Sequence, residues 1–348
     1  MNRITLARPD DFHLHLRDGA AMRAVVGFTA ERFGRAAVMP NLGPPVTTTG
    51  LALEYRRRIV AALPAGCGFE PLMTLYLTDN TPAEEVDRAV ASGVVCGMKY
   101  YPAGATTNSD SGVTRLERTF AVLERMEELG LVLQVHGEVT DDAVDVFDRE
   151  RVFIERQLAR IVERFPALRV VLEHVTTREG VAFVDSQAAN VAATITPQHL
   201  LLNRNALFAG GLRPHHYCLP VLKREADRAA LIAAATSGSP KYFLGTDSAP
   251  HSRGDKESAC GCAGVFSAPA GIELYAEAFE QAGALDRLEA FASRHGADFY
   301  GLSRNSGSIT LLRETWRPPA TYPLGDREIV PFRAGDPVSW RLDSPGHQ

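Results

Sequence analysis

Two histidines one residue apart stand in the run Asp11-Phe12-His13-Leu14-His15-Leu16-Arg17-Asp18. In a strand, side chains alternate between faces. His13 and His15 are therefore expected on one side, and Phe12, Leu14 and Leu16 on the other, under covering helices. Two imidazoles on one face suit a metal ion, because neutral imidazole is the commonest metal ligand. A pair of ordinary polar histidines at a strand end is the alternative. Three more polar groups close apolar runs: His136 after Leu131-Val132-Leu133-Gln134-Val135, His174 after Arg169-Val170-Val171-Leu172-Glu173, and Asp247 after Tyr242-Phe243-Leu244-Gly245-Thr246. Taken singly, such residues are usually satisfied strand ends. Several converging on one barrel mouth are harder to dismiss, since barrel active sites are assembled there from several strands.

Lys99 closes Val94-Val95-Cys96-Gly97-Met98. A lysine there could snorkel or pair with a carboxylate. Once buried, it can have a depressed pKa and a nucleophilic amine. Such an amine can add carbon dioxide to give a carbamate, whose two oxygens and negative charge can bridge two cations. Four His, one modified Lys and one Asp would hold a binuclear centre. Zinc fits an imidazole-rich site with some carboxylate-type ligands.

These residues need elements that position them. Strand-like runs lie at 11–16, 36–39, 71–77, 94–100, 131–136, 169–174, 191–195 and 242–245. Helical patterns at 51–63, 115–129, 153–165 and 223–235 fall between them. Such alternation implies βαβ units and a parallel sheet. Eight runs predict an α/β fold, a single (β/α)₈ TIM barrel domain over 1–348 with a C-terminal extension after Gly301. A doubly wound open sheet is the rival; its nucleotide-binding versions are disfavoured, as no Gly-x-Gly-x-x-Gly follows the first strand and no Walker A loop occurs. Stretches 102–112 and 248–271 lack periodicity, and long irregular loops in compact domains are often functional.

Composition narrows the class further. Of 348 residues, 45% are hydrophobic and 23% charged, as in a soluble globule with a large core. Lys+Arg is 37 against Asp+Glu 42, a formal net charge of -5, so no nucleic-acid partner is expected. The first ten residues carry Arg3 and Arg8 without an apolar segment, and no membrane association is expected. Five scattered cysteines argue for a reducing cytoplasm.

Across nearly its whole length the chain resembles the dihydroorotases, monofunctional bacterial type, of the amidohydrolase superfamily. The motifs are RPDDFHLHLRD at 8–18, VMPNLGPPVTT at 38–48, KYYPAGATTN at 99–108, VHGEVT at 135–140, LEHVTT at 172–177, ATITPQH at 193–199, YCLPVLK at 217–223, LGTDSAPH at 244–251 and KESACGCAG at 256–264. Together they are highly specific; no one of them would be. The resemblance implies a (β/α)₈ barrel holding two zinc ions per subunit. His13, His15 and Asp247 would bind the more buried one and His136 and His174 the second. Carboxylated Lys99 (N6-carboxylysine) and a hydroxide would bridge them. Arg17, Asn41 and His251 match the residues that hold the substrate carboxylate. The backbones of Leu219 and Ala263 match those that contact the pyrimidine ring, and His15 and His136 are placed against substrate as well.

Thr106 and Thr107 match a mobile loop that closes over substrate, for which Gly104 and Gly112 are candidate hinges. The implied reaction interconverts N-carbamoyl-L-aspartate and L-dihydroorotate in de novo pyrimidine synthesis. The bridging hydroxide attacks the ring amide and Asp247 serves as general acid and base. A small-molecule substrate, a homodimer and a cytoplasmic location follow from the same resemblance. A hydantoinase, an allantoinase or a silent scaffold on the same barrel are the rivals.

Other conspicuous residues receive structural readings. Cys260-x-Cys262 has the wrong spacing for a usual zinc pair, so Cys218, Cys260 and Cys262 are expected to be structural thiols. His215 and His216 are expected to pack or face solvent, His199 to support the site from behind, and His295 and His347 to be exposed.

Overall fold

A computed structural model describes residues 2–343, so His347 lies outside the described residues. Among the described residues thirteen strands occur in chain order: β1 (Arg3–Ala7), β2 (Asp10–Leu14), β3 (Arg35–Val38), β4 (Glu70–Leu77), β5 (Val95–Tyr100), β6 (Val132–His136), β7 (Val170–Glu173), β8 (Val191–Ile195), β9 (Tyr242–Leu244), β10 (Ser308–Leu312), β11 (Tyr322–Leu324), β12 (Arg327–Ile329) and β13 (Arg341–Leu342). Strands β2 to β9 pair in sequence order in one parallel sheet, and they are the eight runs expected from sequence. Their residues are almost all buried, as parallel strands covered on both faces must be. The sheet rolls up until its ends meet: His15 N–H donates to Ser248 O (3.0 Å) and Asp247 N–H to His13 O (2.8 Å). The result is a (β/α)₈ barrel.

Helices return the chain between strands, with ends set by local capping. Asp18 caps Gly19–Arg32, Thr48 caps Thr49–Ala62 and Thr177 caps Arg178–Ser186, each through a side-chain oxygen that accepts a backbone N–H. Gly130 ends Phe120–Leu129 at φ 68, a left-handed turn that favours glycine. The pattern at 153–165 marks a longer helical stretch. It begins at Arg149 and contains a π turn at Ile154–Leu158. Glu150 pulls its start inward, where its carboxylate accepts from the backbone N–H and hydroxyl of both Thr176 and Thr177. The helix expected from 223 starts at Glu225, because Lys223 turns inward and donates to Val221 O.

Phe12 departs from the simple alternation. It packs with Leu72, Val132, Val171, Ala192, Phe243 and Tyr300, while Leu14 and Leu16 join the separate cluster beneath the helices. A register shift between Asp11 and Leu14 breaks the two-residue period there. Phe12 stacks on Tyr300 at 4.7 Å between ring centroids, and Gln134 Nε2–H donates to the Tyr300 hydroxyl at 2.9 Å. These residues fill one end of the barrel and leave the polar strand ends at the other.

The C-terminal extension packs on the barrel as a small sheet. β10 pairs antiparallel with β1, with Thr5 opposite Thr310, and also with β13. The sequence reading expected the extension after Gly301 but not its N-terminal partner, since a short edge strand of mixed burial carries little periodic signal. Among the described residues no helix is long and apolar enough to cross a membrane.

Gly296 faces Phe12 so closely that a Cβ would collide with the ring. Gly296→Ala should therefore cost about 1–3 kcal/mol of stability, as overpacking does, and lower the unfolding temperature in a thermal melt. An unchanged melt would show that the floor of the barrel is not tightly packed.

Candidate active site

Asp11 organises the first strand's contribution. Its carboxylate accepts from His13 N–H (3.1 Å), Thr246 N–H (2.8 Å) and the Thr246 hydroxyl (2.6 Å). Burial pushes its pKa up to about 7 against these hydrogen bonds. The clamp joins the strand bearing the paired histidines to the strand end bearing Asp247. His13 Nε2 and His15 Nε2 lie 3.3 Å apart, and Asp247 Oδ1 is 3.1 Å from His15 Nε2 and 3.5 Å from His13 Nε2. All three residues are buried, and their donor atoms lie within 4.8 Å of one another. Converging lone pairs repel one another unless a cation or proton sits among them.

The tautomers follow from what lies behind the rings. His13 Nδ1–H donates to Glu173 Oε2 (2.7 Å), which also accepts from the Thr194 hydroxyl (2.6 Å). His13 Nε2 is thereby left as an electron-pair donor. His136 Nε2–H donates to Glu138 Oε2 (3.0 Å) and leaves Nδ1 free. Carboxylates of this kind fix ring orientation at metal sites. Burial, followed by the charge of Lys99, holds His13 down at about 4, so its ring is neutral at neutral pH.

His136 and His174 sit side by side with ring centroids 4.8 Å apart, and His174 is 5.0 Å from His13. His174 Nδ1 is buried without a hydrogen-bond partner among the described residues. So is Lys99 Nζ, 5.4 Å from the centre of the Tyr101 ring. Burial lowers the Lys99 ammonium to about 8, while Glu173 and Asp247 pull it back toward the charged form. Arg17, His174 and Asp247 adopt φ of 61°, 42° and 46°. Left-handed backbone at non-glycine residues costs on the order of 1–3 kcal/mol each and persists where the surroundings over-determine it. His174 N–H is held by the Thr194 hydroxyl (2.7 Å), and Arg17 O accepts from the Tyr55 hydroxyl.

The opposite wall carries positive charge and amide groups. Arg17 Nη2–H points at His251 Nε2 (2.8 Å) and Arg17 Nε–H at Pro250 O (3.0 Å). Burial, then Arg17, brings His251 down to about 3, so it meets the guanidinium as a neutral ring. Asn41 Nδ2–H donates to Thr107 O (2.9 Å), and Asn108 Nδ2–H donates to Asn41 O (3.0 Å), which latches stretch 102–112 over the mouth. Gly104 stands at φ 80° with open space around it, and at Gly112 a Cβ would collide with the Tyr101 carbonyl.

One pocket gathers His13, His15, His136, His174, Asp247, Arg17, Asn41, Thr106, Thr107, Leu219 and Ala263. Lys99 lies deeper and His251 behind Arg17; neither is among the lining residues. The sequence reading passed over Asp11, Glu138, Glu173, Thr194 and Tyr101. Strand parity could have exposed Glu173, since it shares a face with Val171 inside the barrel.

The remaining expectations divide. His215 pairs with Glu257 (3.0 Å) and His216 Nδ1–H donates to Ala206 O (2.9 Å), as packing and surface groups do. His199 is buried between the Thr196 hydroxyl and Pro220 O. His295 is half-buried rather than exposed, its Nδ1–H donating to Tyr242 O (3.1 Å). Cys218 is buried, but Cys260 is exposed, so it is not a packed structural thiol; its sulfur lies 3.5 Å from that of Cys262.

Residues 11–311 match the amidohydrolase family. The chain is 66% identical over 343 residues to a dihydroorotase of Azoarcus sp. (strain BH72), covering 98% of this chain and 100% of that one. The chain belongs to the dihydroorotase family. Among solved structures, a Campylobacter jejuni dihydroorotase superposes with a TM-score of 0.91 at 35% identity over 99% of this chain and 98% of its own. A Saccharomyces cerevisiae dihydroorotase in complex with 5-fluoroorotic acid gives 0.91 at 33% identity, with 98% of each chain covered. This dihydroorotase-family chain is a metal-dependent cyclic amide hydrolase of pyrimidine biosynthesis, acting on a small molecule.

Proposed function

We propose that the chain interconverts N-carbamoyl-L-aspartate and L-dihydroorotate as a zinc enzyme. One observation carries this reading: a single pocket is lined by buried electron-pair donors and by Asn41 and Arg17, with His251 behind the guanidinium. Such a pocket suits a ring that bears both a scissile amide and a carboxylate.

The donor set fits two divalent ions. His13, His15 and Asp247 would hold one, His136 and His174 the other, and Lys99 as its carbamate would serve both. Two buried atoms without partners, Lys99 Nζ and His174 Nδ1, support the assignment. An amine held at about 8 is partly neutral near neutral pH, as reaction with carbon dioxide requires. Imidazole and carboxylate-type oxygen are zinc's ordinary ligands. When bound, the ions supply Lewis-acid polarisation of the carbonyl and acidify water.

The chain's own side chains do the rest. Asp247, whose pKa is raised by burial, takes a proton from the attacking water and passes it to the leaving ring nitrogen; cyclisation runs this path backwards. Arg17, Asn41 and His251 grip the substrate carboxylate, with the guanidinium supplying a charge-assisted contact. The backbones of Leu219 and Ala263 contact the pyrimidine ring, with His15 and His136 against the substrate. Thr106 and Thr107 close the mouth and exclude water. The same reading takes 1–348 as one working domain, a homodimer and a cytoplasmic protein; five cysteines without disulfides support the last. Hydantoinase and allantoinase readings are disfavoured, since an uncharged ring has no use for Arg17.

Absorbance-monitored turnover of dihydroorotate beside dihydrouracil, hydantoin and allantoin tests the assignment. Dihydroorotate should be strongly preferred, and preference for an uncharged ring overturns the proposal. Arg17→Met should lower kcat/KM at least about tenfold, the loss of a charge-assisted hydrogen bond, with metal content unchanged. Unaltered kinetics would remove Arg17 from the substrate site. Lys99→Ala should lose bound metal by elemental analysis and most activity, with partial recovery on adding short carboxylic acids. Full metal content and wild-type turnover in that variant would exclude the carbamate.

A further inference from the structure

We propose that Tyr101 is a further catalytic residue, its hydroxyl donating a hydrogen bond to the oxygen of the substrate's reacting carbonyl as that oxygen gains negative charge. The inference rests on the reading of the pocket as a cyclic-amide site. Tyr101 follows Lys99 by two residues, just past the end of β5; its ring centre lies 5.4 Å from Lys99 Nζ, and it lines the pocket. It is 1% exposed, and its hydroxyl has no hydrogen-bond partner among the described residues.

That isolation sets it apart from the other buried tyrosines. The hydroxyls of Tyr55, Tyr100, Tyr242 and Tyr275 donate to Arg17 O, Gln157 Oε1, Asp185 Oδ1 and Ile195 O, and that of Tyr300 accepts from Gln134. A buried hydroxyl without a partner destabilises a fold by about 1–3 kcal/mol, so packing alone would favour Phe at this position. A group that finds its partner only in the reacting complex accounts for the tyrosine.

The ring is also held still. It stacks on Tyr76 with centroids 5.1 Å apart and lies 6.2 Å from His136. Its carbonyl accepts from Val113 N–H (2.8 Å) and packs against Gly112, so the base of the lid fixes its backbone. A donor fixed before the reaction needs no reorganisation during it. In the proposed step Tyr101 donates a hydrogen bond and gives up no proton. Asp247 still carries the proton between water and ring nitrogen.

Tyr101→Phe tests this with dihydroorotate as substrate. Relative to wild type, kcat should fall about 10²-fold, as when an oxyanion donor is removed, and KM should change less than about threefold. Metal content should hold, and the unfolding temperature of the substrate-free protein should not fall. A wild-type kcat overturns the proposal, and so does loss of metal, which would make the side chain a structural part of the centre. Incorporating 4-fluorophenylalanine at position 101 fills the hydroxyl's space without donating and should behave as Phe does. Recovery of kcat there would show that volume, not donation, matters. If the wild-type protein opens another cyclic amide but not dihydroorotate, the substrate assignment fails separately, and the loss of kcat in Tyr101→Phe is read on that amide.

Discussion

Closure of the barrel between its first and last strands is the constraint on which everything else depends. Asp11 binds the Thr246 backbone and hydroxyl, while His13 and Ser248 carbonyls accept from Asp247 and His15. These few bonds bring residues more than 230 positions apart to within 4 Å. A carboxylate is well suited to this position because it accepts several N–H and O–H donors at once where no water is available to satisfy them. An open sheet of the same strands would leave Asp247 far from the paired histidines.

Burial then sets the chemistry. It depresses Lys99 and His13 and raises Asp247, so basic groups stay uncharged more readily and the acid holds a proton more readily than in water. The protein offsets part of that effect with carboxylates one layer out. Glu173 and Glu138 each take an imidazole N–H, which leaves the other ring nitrogen facing inward. Orientation and electronic availability thus come from the same hydrogen bond.

Asn41 links the two halves of the pocket's function. It belongs to the wall assigned to the substrate carboxylate, and its amide also ties down the loop of Thr106 and Thr107. One side chain thus joins that wall to the loop. Lys256 steadies the other rim by donating to the carbonyls of Tyr217, Cys262 and Gly264, each at 2.8 Å.

The sequence by itself determined the eight strands, their parallel order and the polar residues at their ends. Each is a local property: an apolar run long enough for a strand, followed by a group that does not belong in an apolar core. Motifs then joined His13, His15, Lys99, His136, His174 and Asp247 into one set. Tertiary structure alone decided which nitrogen each imidazole presents, because the carboxylates that fix it lie up to 160 positions away. It also decided the place of Phe12, since a bulge in one strand cancels alternation without any mark in residue type. The close packing at Gly112 is of the same kind: space around a glycine depends on which backbone passes by, here that of Tyr101. The small sheet of β1 and β10 joins residues some 300 positions apart. Its short half-exposed strands gain their stability from each other and from the barrel beneath, which no local pattern records.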